Sequence, residues 1–478
     1  MNKQMKIFIP LSYSLICALF VTSCVSHKPD MKSPKPLEDI PDKWASWDTN
    51  ISETQETIYW ADTFEDPWLT EAIRTAWSRN PQLITQAEQT LARGEEAVII
   101  GANLSPQANL GVTGSRSKRN LIGFNLPNGS TSFTSNSFNA GLNLSWEIDL
   151  WGKLKSQKES AKKYFEMASQ NYEGARLSIA GQVSKTWFEI AENQQQAELA
   201  RQTMDIFGTN QNFVSNRFKN GLATSLENDL ATSAFASAQA SHSMRIRTQS
   251  QSVRKLEALL GMYPHGQLDL NASTLLPKLT SLALPPTPST ALENRPDILS
   301  SRLQLEASGF DLSASRLSLL PSLSISGGPG SRAENFEDLL DNQFQTWELG
   351  GSLTQPLFQG GRLKAQIRRA DALKQAAFAN YRATALRAFT EVETLLFNEG
   401  RLRAEETYLQ TASKAAESAA QISWDRYKSG IQGIFDALDS QRRFFDSKSS
   451  LLNIRKQRAI NRVNLFLGLG IPALQTEP

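Results

Sequence analysis

Apolar and polar residues alternate from Phe138 to Leu150. Phe138, Ala140, Leu142, Leu144, Trp146, Ile148 and Leu150 fall on one parity; Asn139, Gly141, Asn143, Ser145, Glu147 and Asp149 fall on the other. Side chains alternate faces along a strand, so this segment predicts a strand with one apolar and one wet face. It is long enough for a transmembrane strand, which needs about 9–11 residues. A half-buried strand of a soluble sheet would show the same alternation. A weaker strand is expected over 107–115, through Ala108, Leu110 and Val112, with a polar loop at 116–137 making the two a hairpin.

The period then changes. Residues 152–220 contain no proline, and Phe165, Ala168, Tyr172, Ala175 and Ile179 recur at spacings of three and four. This predicts one helix of roughly 100 Å at about 1.5 Å per residue. Lys219-Asn220-Gly221 ends it, glycine suiting the left-handed turn at a helix C-terminus. A second helix returns from about Leu222 to Met262. Earlier, Leu69 to about Leu104 reads as helix interrupted at Asn80-Pro81 and stopped by Pro106.

The plan repeats. Arg295-Pro296-Asp297-Ile298 opens a helix that Pro321 stops. Strands follow at 322–326 and 347–357, separated by a loop at 327–345. Gly361 answers Gly152, Gly430 answers Gly221 and Gly470 answers Gly261, each 209 positions later. A constant offset over that distance indicates a duplicated unit. Two repeats give four strands, too few to close a barrel, since small membrane barrels have about eight. Strands spanning a membrane would therefore need sister copies to cover their edges.

Domain boundaries follow. Residues 1–23 read as a signal peptide: Lys3 and Lys6 precede an apolar run from Ile7 to Val21. Val21-Thr22-Ser23-Cys24 resembles a bacterial lipobox, which makes Cys24 the candidate lipidated N-terminus. Residues 24–70 read as a proline-bearing tether whose later aromatics, among them Trp44, Trp60 and Phe64, dock on the body. The first repeat spans 71–268, a linker 269–290, the second repeat 291–470 and a tail 471–478.

Composition excludes more than it suggests. Fifty Lys and Arg against 48 Asp and Glu give no electrostatic case for nucleic acid. Three histidines and two cysteines are scattered too widely for a zinc site, and no metal or cofactor is expected. No nucleophile-elbow or zinc-protease motif occurs, so an enzyme is not expected. Gly327-Gly328-Pro329-Gly330 lacks the Lys-Ser/Thr of a phosphate loop and is expected to be an external turn. No apolar helix of spanning length follows the first 25 residues.

Taken in order, several features resemble the TolC-like outer-membrane efflux factors, in particular their lipoprotein branch of the NodT and OprM type. They are Trp60, Phe64-Glu65-Asp66-Pro67, Asn80-Pro81, Trp151-Gly152-Lys153, Arg295-Pro296-Asp297-Ile298, Gln359-Gly360-Gly361-Arg362 and the two Phe/Tyr-Lys-x-Gly tips. The resemblance covers essentially the whole mature chain. It implies a mainly α, mixed fold: a homotrimer with a long periplasmic α-helical barrel continuous with a transmembrane β-barrel, each protomer giving four strands. It implies passive export of small molecules through outer-membrane lipid, with a periplasmic adaptor and an inner-membrane pump as partners. Asp436 and Asp439 match the family's aperture aspartates, and as threefold rings they would concentrate cations. Glu227 matches a further gate position, but Gln432 stands where some relatives carry its basic partner. Gly221 and Gly430 mark the expected adaptor-contact tips. Alternatives are the outer-membrane duct of a type I protein secretion system and a structural coiled-coil lipoprotein bridging the periplasm.

Overall fold

Prolines set the helix starts in the computed structural model, which describes residues 36, 40–46, 59–120, 132–268, 276–279 and 287–475. Proline suits the first helical turn, where its missing N–H would have no partner. Helix α1 (Pro67–Arg79) is capped by Asp66, which accepts the Trp68 and Leu69 N–H groups. Helix α2 (Pro81–Ala102) is capped by Asn80, whose Oδ1 accepts from the Gln82 and Leu83 N–H groups.

The duplication is present in three dimensions. Helices α3 (Lys153–Lys219) and α4 (Ser225–Leu259) form the long hairpin of the first repeat. After α5 (Pro288–Asn294) and α6 (Pro296–Leu317) come α7 (Arg362–Lys428) and α8 (Ile434–Gly468) in the second. Both α3 and α7 have 67 residues, and both α4 and α8 have 35. All four begin and end 209 positions from their counterparts. The stop is the same each time. Gly221 and Gly430 both have φ +72°, while Gly261 and Gly470 both have φ +69°. At each, the glycine N–H reaches back three residues and the next N–H reaches back five, as from Leu222 to Arg217 O at 2.8 Å. That double closure satisfies carbonyls the helix leaves open.

The residue before each α2- and α6-type proline closes the end of the returning helix. Asn80 Nδ2 donates to Leu259 O at 2.8 Å, and Arg295 donates to Gly468 O at 2.6 Å. Arg295 also holds Asp297 at 3.0 and 2.8 Å and Glu391 at 3.0 Å. Burial alone would lower its pKa, but its hydrogen bonds to the Asp297 and Glu391 carboxylates, with their charges, outweigh this and raise it.

Four strands form one antiparallel sheet in chain order: β1 (Gln107–Asn120), β2 (Ser132–Ile148), β3 (Ser322–Ala333) and β4 (Gln345–Thr354). The hairpins outgrow the sequence reading. Arg116–Asn120 and Ser132–Ser137 are strand, not loop, and β3 runs on to Ala333. Only Phe133 is apolar among those residues, so no apolar alternation shows and they read as loop. Conversely, β2 stops at Ile148 and β4 at Thr354, short of Leu150 and Leu357. The Gly327–Gly330 segment is not an external turn but the middle of β3, paired with β2 and β4. Small residues are needed there: a Cβ on Gly327 would meet Glu348 O, and one on Gly328 would meet Leu142 O.

Two compact units divide the chain. The sheet unit holds residues 95–164 and 304–377; the helical unit holds 35–94, 165–303 and 378–478. In the helical unit the docked part of the tether is core. Trp60–Phe64 forms a single 3-10 turn, Trp60 is fully buried, and its ring stacks on Phe466 at 6.2 Å. The tail is tied down too: Trp60 and Ala61 N–H groups donate to Pro472 and Ala473 carbonyls. Trp44 packs edge-on against Phe389, and the Ala45 and Ser46 N–H groups bind the Glu393 carboxylate. The linker expected at 269–290 already becomes helix α5 at Pro288. Much of that linker, the signal peptide and Cys24 lie outside the described residues.

Candidate functional site

Two regions carry the expected chemistry: the sheet and the tips of the long helices.

The sheet sorts its residues by face without a slip. In β1–β2 pairing, Leu110 faces Leu142, Ala108 faces Leu144 and Val112 faces Ala140. The row continues across β3 and β4 through Trp146, Ile325 and Gly351, and through Ile148, Leu323 and Leu353. These side chains are not packed inside the chain: Leu110 is 80% exposed, Leu349 74% and Trp347 82%. The opposite face carries Asn109, Thr113, Asn139, Asn143, Ser324, Ser326, Thr346, Glu348 and Ser352. Ten residue steps from Ile148 to Phe138, at about 3.4 Å each, give roughly 34 Å of strand. With the usual tilt of about 40° the apolar row stands roughly 26 Å tall, close to the ~25 Å band of membrane barrels. Aromatic side chains border it. Trp146 Nε1 donates to Leu104 O at 2.9 Å and Trp151 Nε1 to Pro321 O at 2.7 Å at one end, and Phe138 meets Phe336 edge-on at 5.9 Å at the other. Indole suits such a boundary, being apolar with one donor to satisfy.

Glu147 and Asp149 are engaged rather than merely solvated. Glu147 pairs with Lys153 at 2.5 Å, and Asp149 accepts the Leu154 and Lys155 N–H groups at 3.0 and 2.8 Å. Asp149 thus caps the N-terminus of α3, where the helix dipole favours an anion.

At the other end of the helices, the tips at Gly221 and Gly430 share a small core of Val214, Ala231, Tyr427, Ile434 and Ala437. The rings of Phe213, Trp424 and Tyr427 lie 5.4–6.4 Å apart, with the Arg217 guanidinium 5.8 Å from Phe213 and 5.9 Å from Tyr427. Around this core, Leu222, Leu226, Ile431 and Phe435 are exposed.

The three acidic candidates have different surroundings. Glu227 completes a capping box: its carboxylate accepts the Thr224 N–H at 2.7 Å while Thr224 Oγ1 accepts the Glu227 N–H at 3.2 Å. Burial raises the pKa of the Tyr427 phenol, and the Glu227 carboxylate adds to the rise. The Tyr427 hydroxyl is buried and makes no hydrogen bond among the described residues, so Glu227 on α4 acts on this α7 residue through its charge. The sequence signal for it was the 209 offset, which sets Tyr427 opposite Phe218 and so marks an added hydroxyl. Asp436 occupies the position in α8 that Glu227 occupies in α4. It is exposed, and its helix has Gly433 at the N-cap with no side-chain cap. Asp439 is held by Arg442 and Arg443, each at 2.7 Å on its own helix. The Arg443 hydrogen bond, helped by Arg442, keeps its carboxyl below the ordinary aspartate range. Gln432 donates to Ser423 Oγ at 3.0 Å, so it closes the second tip locally. Among the described residues no three His, Cys, Asp or Glu side chains gather as metal ligands, and no helix is long and apolar enough to cross a membrane.

The family described as outer membrane efflux protein matches residues 72–262 and 287–470, most of the chain. The chain belongs to this family. It is 28% identical to the outer membrane protein OprJ of Pseudomonas aeruginosa, over 96% of this chain and 95% of that one. It is 25% identical to the probable outer membrane lipoprotein SilC of Salmonella typhimurium, over 96% and 97%. A membrane protein crystal structure from Pseudomonas aeruginosa shares its fold at TM-score 0.82 and 28% identity, covering 92% of this chain and all of that one. The open state of the Neisseria gonorrhoeae MtrE outer membrane channel matches at TM-score 0.75 and 26% identity, covering 85% and 90%. This efflux protein is thus an outer-membrane transport component.

Proposed function

We propose that three copies of this efflux protein shut their sheets into a single twelve-stranded barrel and pass small molecules outward through it. The observation that carries this is the open four-stranded sheet. Its apolar row faces out and its other face is polar and small, yet β1 and β4 each have one edge with no partner among the described residues. In lipid those backbone groups must be paired. Two copies would give eight strands, whose interior side chains fill; twelve leave a lumen. The test is the mass of detergent-extracted full chain. A mass three times that of one processed chain is expected, and a stable single copy would overturn the reading.

Relatives include the toluene efflux pump outer membrane protein TtgF and the antibiotic efflux pump outer membrane protein ArpC, both of Pseudomonas putida. By that analogy the cargo is a small toxic compound or drug, delivered by an inner-membrane pump. A periplasmic adaptor would seat on the tips at Gly221 and Gly430, where the exposed Leu222, Leu226, Ile431 and Phe435 offer apolar contacts. Cys24 would carry the acyl anchor, adding about 0.8 kcal/mol of membrane affinity per buried methylene.

The gate is assigned to Asp436, Asp439 and Glu227. With Asp439 held by two arginines, Asp436 supplies the uncompensated carboxylate. Asp436→Ala with Asp439→Ala should change cation-over-anion permeability by about twofold or more in planar bilayers. Single-channel currents and reversal potentials equal to those of the unmodified channel would remove these residues from the gate.

A further inference from the structure

The two hairpins differ in reach. β1 and β2 continue for six residues beyond the level where the apolar row ends, to Asn120 and back from Ser132, while β3 stops at Ala333. Pairing is unbroken from Gln107–Ser145 to Asn120–Ser132, so parity is conserved along the whole ribbon. The side of β1 that carries Ala108, Leu110, Val112 and Gly114 therefore goes on to Arg116 and Lys118. Both are exposed, and neither pairs with a carboxylate among the described residues. The acidic residues of the β3–β4 connection, Glu334, Glu337, Asp338 and Asp341, are not bonded to them. The other cations near this level, Arg119 and Arg332, lie on the opposite, polar face, and Arg332 donates to Asn139 at 2.7 Å.

We infer that Arg116 and Lys118 bind the phosphate groups of a phosphorylated glycolipid in the outer leaflet. The helices leave the sheet at its other end, so this end is the external one for a family member whose helices occupy the periplasm. The inference rests on that membrane placement, not on the gate or the cargo. Arg116 stands about 7 Å along the strand beyond the last apolar position, and Lys118 about 14 Å beyond it. That is headgroup depth, where anions are and hydrocarbon is not. Residues two apart on one strand face sit about 7 Å from each other. Two cations so spaced, one a planar fork and one a point charge, suit a headgroup with more than one phosphate better than a phospholipid with a single one.

The experiment uses the full chain in its detergent-extracted assembly, with native mass spectrometry of bound lipid. The probes are lipid A with two phosphates, the same lipid stripped of phosphate, and phosphatidylglycerol. Unmodified protein should prefer the two-phosphate form over both others. Arg116→Gln with Lys118→Gln should cut that preference by about tenfold. Arg332→Gln, which removes one positive charge from the other face, should leave it intact. The inference is overturned if the double variant keeps the preference, or if Arg332→Gln reduces it equally, since net charge alone would then explain it. It also fails if phosphatidylglycerol competes as well as two-phosphate lipid A. Heat-modifiable migration of each variant reports assembly independently, so a misassembled variant is recognised as such and replaced by the milder Arg116→Lys, for which a smaller loss of preference is expected.

Discussion

Leu142→Arg should leave almost no assembled protein in the outer membrane, whereas Asn143→Arg next door should assemble normally. Leu142 lies on the exposed apolar row near mid-height, opposite Leu110. Arginine at the bilayer midplane costs about 2–4 kcal/mol per copy in a membrane barrel, and every copy in the assembly bears it. Asn143 pairs with Asn109 on the polar face, where a guanidinium stays in water. Membrane fractionation and heat-modifiable migration of the two variants measure the difference. Equal assembly would mean that the alternation does not sort lipid from water.

Trp60→Ala should weaken the helical unit without touching the sheet. The indole is fully buried, stacked on Phe466 and set edge-on to Phe64 at 6.3 Å, and Phe64 in turn lies 5.0 Å from Phe188. Deleting a buried tryptophan costs about 3–5 kcal/mol through lost burial and the cavity left behind. Thermal unfolding followed by helical circular dichroism should show a midpoint several degrees lower. Trp60→Phe should lose much less, because the indole N–H has no partner to forfeit. A midpoint unmoved by Trp60→Ala would mean that the aromatic tether is only a passenger.

The helices were readable in the sequence because their signals are local. Proline before the first turn, glycine after the last and an uninterrupted 3.6-residue pattern all act within a few residues of the boundary they set. The 209 offset was readable for a related reason: equal helix lengths leave no room for insertion between Gly152 and Gly221 or between Gly361 and Gly430. The strands were readable only where one face is apolar and the other polar. Beyond Phe138 and Gly114 the one apolar side chain is Phe133, and a single ring among polar neighbours leaves no alternation in hydropathy. The Gly327–Gly330 segment misled for a different reason. Glycine and proline usually punctuate turns, but here they let β3 pass close to the Leu142 and Glu348 carbonyls, a contact between distant parts of the chain. Among the candidate residues, Asp439 was singled out by its match to the family's aperture aspartates, but its arginine clamp was not, although Arg442 and Arg443 stand one turn away. Tyr427 escaped because the small core it enters is built from both repeats.

The two bare margins of the sheet also have a genetic side. A ring of identical members fails at its weakest seam, so a defective copy that still joins spoils the sound copies beside it. Alleles that damage either margin should therefore behave as dominant in a cell that also makes the normal protein, while alleles that prevent the chain from reaching the membrane at all should be recessive.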